Sequence, residues 1–272
     1  MTEQLHYDVR GNGPVLLIVP GGAGHPMGLG PVTEALADRF TVVTHDPLGL
    51  GHGRLGQPVA DQRPQDWSDG AARVLDEVLP EGESAYVLGI SAGGIAALDL
   101  LVRHPQRLRH IVAHEPPCVG VLPDGAHQQA KFLEVYDTYR AAGLEAAGDR
   151  MSAFLAGQEP REQAVTQPPA PDEELNIPMA IFLTRVLPHF TRYTPAPDAL
   201  AASPARLTLA AGADSRGQLL HRTAVFLAEH SKSSFVELPG GHLGVMEHPV
   251  AYAERLARTL APLDDPGAPL AR

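Results

Sequence analysis

The most informative stretch of this sequence is Gly89-Ile90-Ser91-Ala92-Gly93. It follows a short apolar run at residues 86–88 and precedes a run with helical character at residues 95–102. A G-x-S-x-G pattern between a strand and a helix is typical of a nucleophile elbow, a sharp turn that exposes the serine hydroxyl. The turn brings the flanking backbone so close that glycine is needed on both sides of the serine. Taken alone, the pentapeptide also fits an ordinary glycine-rich turn, so its surroundings have to decide.

The rest of the chain alternates predicted strands with predicted helices. Short apolar runs rich in β-branched residues predict buried strands at residues 15–19, 41–44, 86–88, 111–113, 207–209 and 235–238, with an edge strand at residues 6–9. Amphipathic patterns predict helices at residues 31–38, 67–78, 91–104, 218–230 and 250–260. This alternation indicates an α/β fold with a parallel sheet covered on both faces. In such sheets ligands bind at the carboxyl ends of the strands.

Two further residues at that sheet edge complete a candidate catalytic set. A serine hydroxyl needs a base, and the base needs an orienting carboxylate. His242 lies on a glycine-rich loop after the strand at 235–238, and Asp214 follows the strand at 207–209. We therefore expect Ser91 to be the nucleophile, His242 the base and Asp214 the carboxylate. Glu115, at the end of the strand after the elbow, is the alternative acid; otherwise it orients a loop or lines the pocket.

Five motifs in the chain order Ser, Asp, His resemble the α/β-hydrolase superfamily, in its branch of capped single-domain enzymes. The motifs are the elbow, Pro20-Gly21-Gly22, His45-Asp46-Pro47-Leu48-Gly49-Leu50-Gly51, Gly212-Ala213-Asp214, and Gly241-His242 with Glu247-His248-Pro249 downstream. The resemblance implies a mostly parallel, doubly wound sheet with an inserted helical cap. It also implies an acyl-enzyme on Ser91 and an oxyanion hole formed by the backbone N–H groups of Gly22 and Ala92.

Two positions depart from the family pattern. Pro20 precedes Gly21 where histidine is usual, and Leu48 occupies the place of the usual arginine in the loop after the second central strand. Because leucine cannot make that arginine's polar contacts, we expect this loop to be held differently. Neither departure touches the three catalytic candidates.

The strand pattern stops between about residues 119 and 204, where three helical patterns occur, at residues 132–139, 144–155 and 179–187. We predict a hydrolase core at residues 1–118 and 204–262, a helical cap or lid at 119–203, and a flexible tail at 263–272. The alternative is that the helical segment is simply part of the layer covering the sheet. The candidate pocket residues are His25, Glu115, Phe182, Leu243 and Met246, with Leu183, Leu187 and Val245 as further apolar candidates.

Composition excludes several classes of partner. A net charge of −11 argues against binding to nucleic acid. No apolar run reaches the roughly 18 residues of a membrane span, and the first residues lack a signal-peptide pattern. A single cysteine, Cys118, excludes an intramolecular disulfide, so a cytoplasmic location is expected.

We expect no cofactor and no metal, because the histidines lack the spacing of a metal site and the glycines at 21–24 do not complete a dinucleotide-binding fingerprint. The oligomeric state stays open.

These features predict a serine hydrolase that cleaves a carboxylic ester or lactone of a small, largely apolar molecule. No arginine or lysine lies beside the catalytic motifs to hold an anionic acyl group. Two alternatives use the same scaffold. One is a non-hydrolytic, cofactor-free lyase or cyclase with His242 as its base, and the other is a receptor that binds a small molecule without turnover.

Overall fold

A computed structural model describes residues 5–24, 28–53, 57–161, 166–203 and 206–261 of the chain. Its centre is a seven-stranded sheet in the order β1-β3-β2-β4-β5-β6-β7. The strands are β1 (Tyr7–Arg10), β2 (Val15–Val19), β3 (Thr41–His45), β4 (Ala85–Ile90), β5 (Leu108–His114), β6 (Leu207–Gly212) and β7 (Ser234–Leu238). Only β1 is antiparallel to its neighbour among these strands. The predicted, mostly parallel sheet is confirmed; the strand predicted at its edge is β1, and the structure adds that it runs antiparallel.

Helices connect the strands and cover the sheet. They are α1 (Gly30–Ala37), α2 (Pro64–Val78), α3 (Ala92–Arg103), α4 (Gly125–Ala156), α5 (Pro171–Glu174), α6 (Pro178–Ile181), α7 (Leu187–Phe190), α8 (Pro197–Ala201), α9 (Leu219–Ser231), α10 (Gly244–Glu247) and α11 (Pro249–Leu260). A π-helical turn, Phe182–Val186, joins α6 to α7. In the described part of the chain, no helix combines the length and apolar character needed to cross a membrane.

Two apolar layers hold the sheet from opposite sides. Alternate residues of β2 supply them, since Leu17 and Val19 pack into one layer while Leu16 and Ile18 pack into the other. The first layer includes apolar residues of α2, α3 and α9, and the second includes those of α1 and α11. Side chains that alternate between two buried faces explain why the central strands are continuous apolar runs. The doubly wound arrangement is confirmed.

Between β5 and β6, all regular secondary structure in the described residues is helical. Helix α4 is interrupted at Gly143, whose φ of 84° is not helical, so it consists of two pieces that match two predicted amphipathic patterns. The rings of Phe132 and Phe154, one in each piece, meet edge to face with centroids 4.9 Å apart. Phe132 and Tyr139 share one continuous buried cluster with α2 and α3. The division into core and cap stays a prediction, and the tail at 263–272 lies outside the described residues.

The loop after β3 is held by an acidic side chain. The Asp46 carboxylate accepts hydrogen bonds from the backbone N–H groups of Leu50 (3.2 Å) and Gly51 (2.8 Å), and it lies 3.1 Å from His52 Nδ1. Leu48 is buried in the apolar layer instead of making polar contacts. The loop is therefore organised around Asp46, which explains how leucine replaces the usual arginine.

Candidate active site

Ser91 stands at a strained turn between β4 and α3. Its φ of 53° and ψ of −117° lie outside the regions that non-glycine residues normally adopt. Its N–H donates to the carbonyl oxygen of His114 at the end of β5 (2.9 Å), which fixes the turn to the neighbouring strand. A Cβ on Gly93 would overlap the Val19 carbonyl oxygen, and one on Gly89 would lie 2.5 Å from the Gly93 oxygen. Glycine is required on both sides, as in the predicted elbow.

His242 reaches the same edge of the sheet on the loop after β7. This loop packs closely on the end of β6, because a Cβ on Gly212 would lie 2.5 Å from the carbonyl oxygen of Gly240. The N–H of Asp214 donates to that same oxygen (3.0 Å). The close backbone approach and this hydrogen bond together set the position of His242.

The carboxylate that meets His242 belongs to Glu115. Its Oε2 lies 2.8 Å from His242 Nδ1, and its Oε1 accepts hydrogen bonds from the Gly212 N–H (2.9 Å) and from the Ser215 hydroxyl. Glu115 is completely buried. Burial alone would raise the pKa of this carboxyl, but the hydrogen bond and charge of His242, with help from His114 and Ser215, lower the pKa to about 2. Glu115 is thus an anion held against the imidazole.

The described geometry places Glu115, and not the expected Asp214, against His242. Asp214 is exposed, in the 3₁₀ turn Ala213–Ser215, and no hydrogen bond joins its side chain to His242 in the described part of the chain. The next residue, Ser215, is the one that turns inward, onto Glu115. Asp214 contributes through its backbone N–H alone, as an anchor of the His242 loop.

Ser91 and His242 line one cavity of about 400 Å³. Gly22 and Ala92, the predicted oxyanion-hole residues, line it as well. Of the predicted pocket residues, Phe182, Leu243 and Met246 line the cavity, and so do Leu187 and Val245. Leu183 is fully buried and does not line it, and Glu115 lies behind His242. His25 lies outside the described residues.

Several residues of the site had not been singled out from the sequence for this role. Ser215 positions Glu115, and further apolar side chains complete the cavity wall: Leu29, Pro117, Phe132, Met151, Leu155, Pro178, Met179, Phe190 and Leu220. Phe132, Met151 and Leu155 belong to the amphipathic patterns of α4, which predicted a buried face. That signal indicates burial, but it does not distinguish a side chain in the core from one at a cavity.

The wall of the cavity carries almost no polarity. Apart from His242, no titratable side chain lines it among the described residues. The Thr191 hydroxyl already donates to the Leu187 carbonyl (2.8 Å), and Ser91 is the remaining polar side chain. An anionic group placed there would lose its hydration without gaining a cationic partner. The cavity therefore suits an uncharged, apolar molecule.

His114, Glu115 and His242 also form a group that could hold a metal ion. Each brings one nitrogen or oxygen to within 4.8 Å of the others. A metal at this point would have to replace the Glu115–His242 hydrogen bond. The His114 ring is completely buried beside those of His242 and Tyr252, and burial lowers the pKa of His114 to about 4. The described geometry is that of a carboxylate–imidazole pair packed on a neutral histidine.

Comparison with known proteins agrees with this fold. A family model described as "Alpha/beta hydrolase family" matches residues 16–255. The chain belongs to the alpha/beta hydrolase family. YraK of Bacillus subtilis (strain 168), described as an uncharacterized hydrolase, is 30% identical over 258 residues, which cover 93% of this chain and 90% of YraK. The protein is an enzyme of the alpha/beta hydrolase class, as predicted.

Solved structures show the same fold at lower sequence identity. MenH from S. aureus superposes with a TM-score of 0.71 at 16% identity, over 97% of this chain and 100% of MenH. A thermophilic esterase from Thermogutta terrifontis superposes with a TM-score of 0.64 at 18% identity, over 96% of this chain and 94% of the esterase. At such identities the likeness concerns the alpha/beta hydrolase fold alone.

Proposed function

We propose that this alpha/beta hydrolase cleaves a carboxylic ester or lactone of a small, largely apolar molecule through an acyl-enzyme on Ser91. The observation that carries the proposal is the placement of Ser91 and His242 on one apolar cavity, with the His242 imidazole backed by an ionised, buried carboxylate. A serine, a histidine and an acid in these positions are the parts that acyl transfer requires.

In the first half of the reaction, Ser91 Oγ attacks the carbonyl carbon of the substrate while His242 Nε2 takes the hydroxyl proton. The carbonyl oxygen becomes an oxyanion, which the backbone N–H groups of Gly22 and Ala92 stabilise. Each such donor contributes roughly 3–4 kcal/mol in comparable sites. The tetrahedral intermediate then collapses, the bond to the alcohol oxygen breaks, and His242 gives its proton to that oxygen.

In the second half, water replaces the alcohol beside His242. The water oxygen attacks the acyl carbon while His242 accepts a proton from the water. His242 then returns a proton to Ser91 Oγ as the carboxylic acid product leaves. Glu115 holds the imidazole with Nδ1–H toward its carboxylate, leaving Nε2 free to accept a proton. The negative charge of Glu115 also stabilises the imidazolium formed in each half.

The apolar wall supports an uncharged substrate. Side chains such as Phe132, Phe182 and Phe190 surround the cavity, and none of them can pair with a carboxylate or a phosphate. A volume of about 400 Å³ matches a small molecule at the lower end of the range of about 300–1,000 Å³ found for ligand pockets. The esterase from Thermogutta terrifontis, on the same fold, supports ester cleavage as the reaction class.

The test is covalent labelling with a fluorophosphonate, followed by location of the adduct by mass spectrometry. We expect a single adduct on Ser91 in the native protein, none in Ser91→Ala, and strongly reduced labelling in His242→Ala. Turnover of simple esters and lactones should follow the same pattern across these variants. A folded protein that neither labels nor turns over esters would refute the hydrolase mechanism. Ligand binding without turnover would then favour a receptor, and proton transfer at His242 without labelling would favour a lyase or cyclase.

A further inference from the structure

The mouth of the candidate active site is edged by half-exposed apolar side chains. Leu243, Met246 and Met179 line the cavity and are 51%, 45% and 41% exposed, whereas inner-wall residues such as Phe190 and Leu220 are almost completely buried. We call Leu243, Met246 and Met179 the rim. The other exposed large apolar side chains that the structure describes, Val9, Val102, Phe235 and Val250, do not line the cavity.

Two of the three rim residues, Leu243 and Met246, lie on the histidine side of the reacting centre. Leu243 directly follows His242, and Met246 is on α10, which begins at Gly244. The Met246 side chain packs across Gly28, since its Cε would lie 2.8 Å from a Cβ there. Met179 on α6 contributes to the rim from the helical segment between β5 and β6. Both sides of the mouth are therefore apolar, and two of the three side chains are flexible methionines that adapt to different shapes.

The chemistry of acyl transfer decides what occupies this position. His242 takes the proton of Ser91 and gives it to the departing oxygen, so the leaving group has to lie beside His242 in the transition state. Resting on the proposed function, we propose that Leu243, Met246 and Met179 bind the alcohol portion of the substrate, so that the enzyme selects esters of apolar alcohols. The acyl portion occupies the enclosed inner cavity.

The size of the effect follows from the exposure of the rim. Complete burial of one methylene changes binding by about fourfold. A rim that is itself about half exposed buries about half of that surface, which gives about twofold per methylene. From an ethyl to a butyl ester, kcat/KM should therefore rise by about fourfold in total. A hydroxyl at the end of the alcohol should remove the gain, because the rim offers it no hydrogen-bond partner.

The experiment uses butyrate esters dissolved below their solubility limits: ethyl, propyl, butyl and 2-hydroxyethyl butyrate, the last being nearly the same size as the propyl ester. Release of butyrate is measured for the native protein and for Leu243→Ser, Met246→Ser and Met179→Ser. We expect kcat/KM to rise with alcohol length and to fall for the hydroxyethyl ester in the native protein, and this dependence to flatten in the rim variants. Leu243→Met should restore it.

Val250→Ser is the matched control, since Val250 is exposed and does not line the cavity. It should keep the full dependence on alcohol length. The alcohol leaves before deacylation, so the hydrolysis rate of the common butyryl-enzyme should be independent of the ester used. A substitution that acts only through the rim therefore changes acylation and leaves deacylation unchanged, whereas a general effect on catalysis changes both.

The outcomes separate this inference from the proposed function. Labelling of Ser91 and ester cleavage, together with equal kcat/KM across the alcohol series, would overturn the assignment of the rim and leave the hydrolase mechanism standing. A second series takes butyl butyrate above its solubility limit. A rate that rises only there would also overturn the assignment, because the rim would then meet the surface of the separated ester. Failure of both labelling and cleavage would remove both proposals together.

Discussion

Replacing Glu115 by glutamine is the most discriminating change at the candidate site. Glutamine keeps the size of the side chain but carries no charge, and its NH₂ group donates where the carboxylate accepts. Placed against His242, that donor favours the imidazole tautomer with its proton on Nε2, which cannot accept the Ser91 proton. We therefore expect the variant to fold but to lose acylation.

The expected loss is large because Glu115 is held as an anion. Replacing a triad acid by its amide lowers kcat by about 10⁴ in serine proteases, and we expect a similar loss here. The pKa of Glu115, lowered from an ordinary 4.5 to about 2, corresponds to roughly 3 kcal/mol of preference for the charged form in the folded protein. That stabilisation is complete above about pH 4.5 and is lost as the pH falls toward about 2. The glutamine variant should lack this part of the acid dependence of its unfolding free energy.

The assay compares Glu115→Gln with Asp214→Asn, using the rate of fluorophosphonate labelling, kcat for a simple ester, and denaturant unfolding between pH 2 and 6. Asp214→Asn should stay within about twofold of the native kcat, because the Asp214 side chain is exposed and its anchoring N–H is retained. The reverse pattern, a silent Glu115→Gln and an inactive Asp214→Asn, would refute the assignment of the acid.

Three further predictions test the backbone and the buried thiol. Gly93→Ala should give little folded protein, since its Cβ would overlap the carbonyl oxygen of Val19, a backbone atom that cannot rotate away; expression and thermal unfolding measure this. Both Ser91→Gly and Ser91→Ala remove the Ser91 hydroxyl, but only glycine accepts a φ of 53° without strain. The glycine variant should therefore be the more stable by about 1 kcal/mol in denaturant titration. Equal stability of the two variants would argue against strain at the elbow. Burial raises the pKa of the Cys118 thiol, so Ellman's reagent should modify it only in unfolded protein, and rapid modification of the native state would contradict that burial.

The sheet could be predicted from sequence because each buried strand is a continuous apolar run. The prediction for β2 matches its bounds, whereas β5 begins at Leu108, three residues before the predicted start, since Arg109 and His110 interrupt the apolar pattern. An apolar pattern reports which side chains are buried, but these two polar residues belong to the strand because it pairs with its neighbours β4 and β6. The ends of strands depend on such pairing, which a single sequence does not display.

The acid could not be assigned from sequence because two carboxylates follow two adjacent strands. Glu115 directly follows β5 and Asp214 follows β6, so topology places both at the correct edge. The choice between them depends on one 3₁₀ turn, which exposes Asp214 and directs the next residue, Ser215, to the Glu115 carboxylate. No hydrophobic or glycine pattern in the sequence shows which residue of that turn faces inward.

Backbone conformation is a second observation that favours the same assignment. In the described part of the chain, three residues other than glycine have positive φ: Ser91, Glu115 and Lys232. Lys232 ends α9 in the left-handed conformation that commonly terminates a helix, so its geometry has an ordinary cause. Ser91 and Glu115 have no such cause, and strain of this kind costs on the order of 1–3 kcal/mol at each position and persists where the surrounding structure enforces it. Ser91 is held by the close backbone packing at Gly89 and Gly93 and by its N–H bond to the His114 carbonyl oxygen. Glu115 is held by its N–H bond to the Ala210 carbonyl oxygen and by the hydrogen bonds of its carboxylate to Gly212, Ser215 and His242. The fold thus holds strain at the proposed nucleophile Ser91 and at Glu115, whereas Asp214 is not among the residues with positive φ; this is the distribution expected if Glu115 is the acid of the catalytic set.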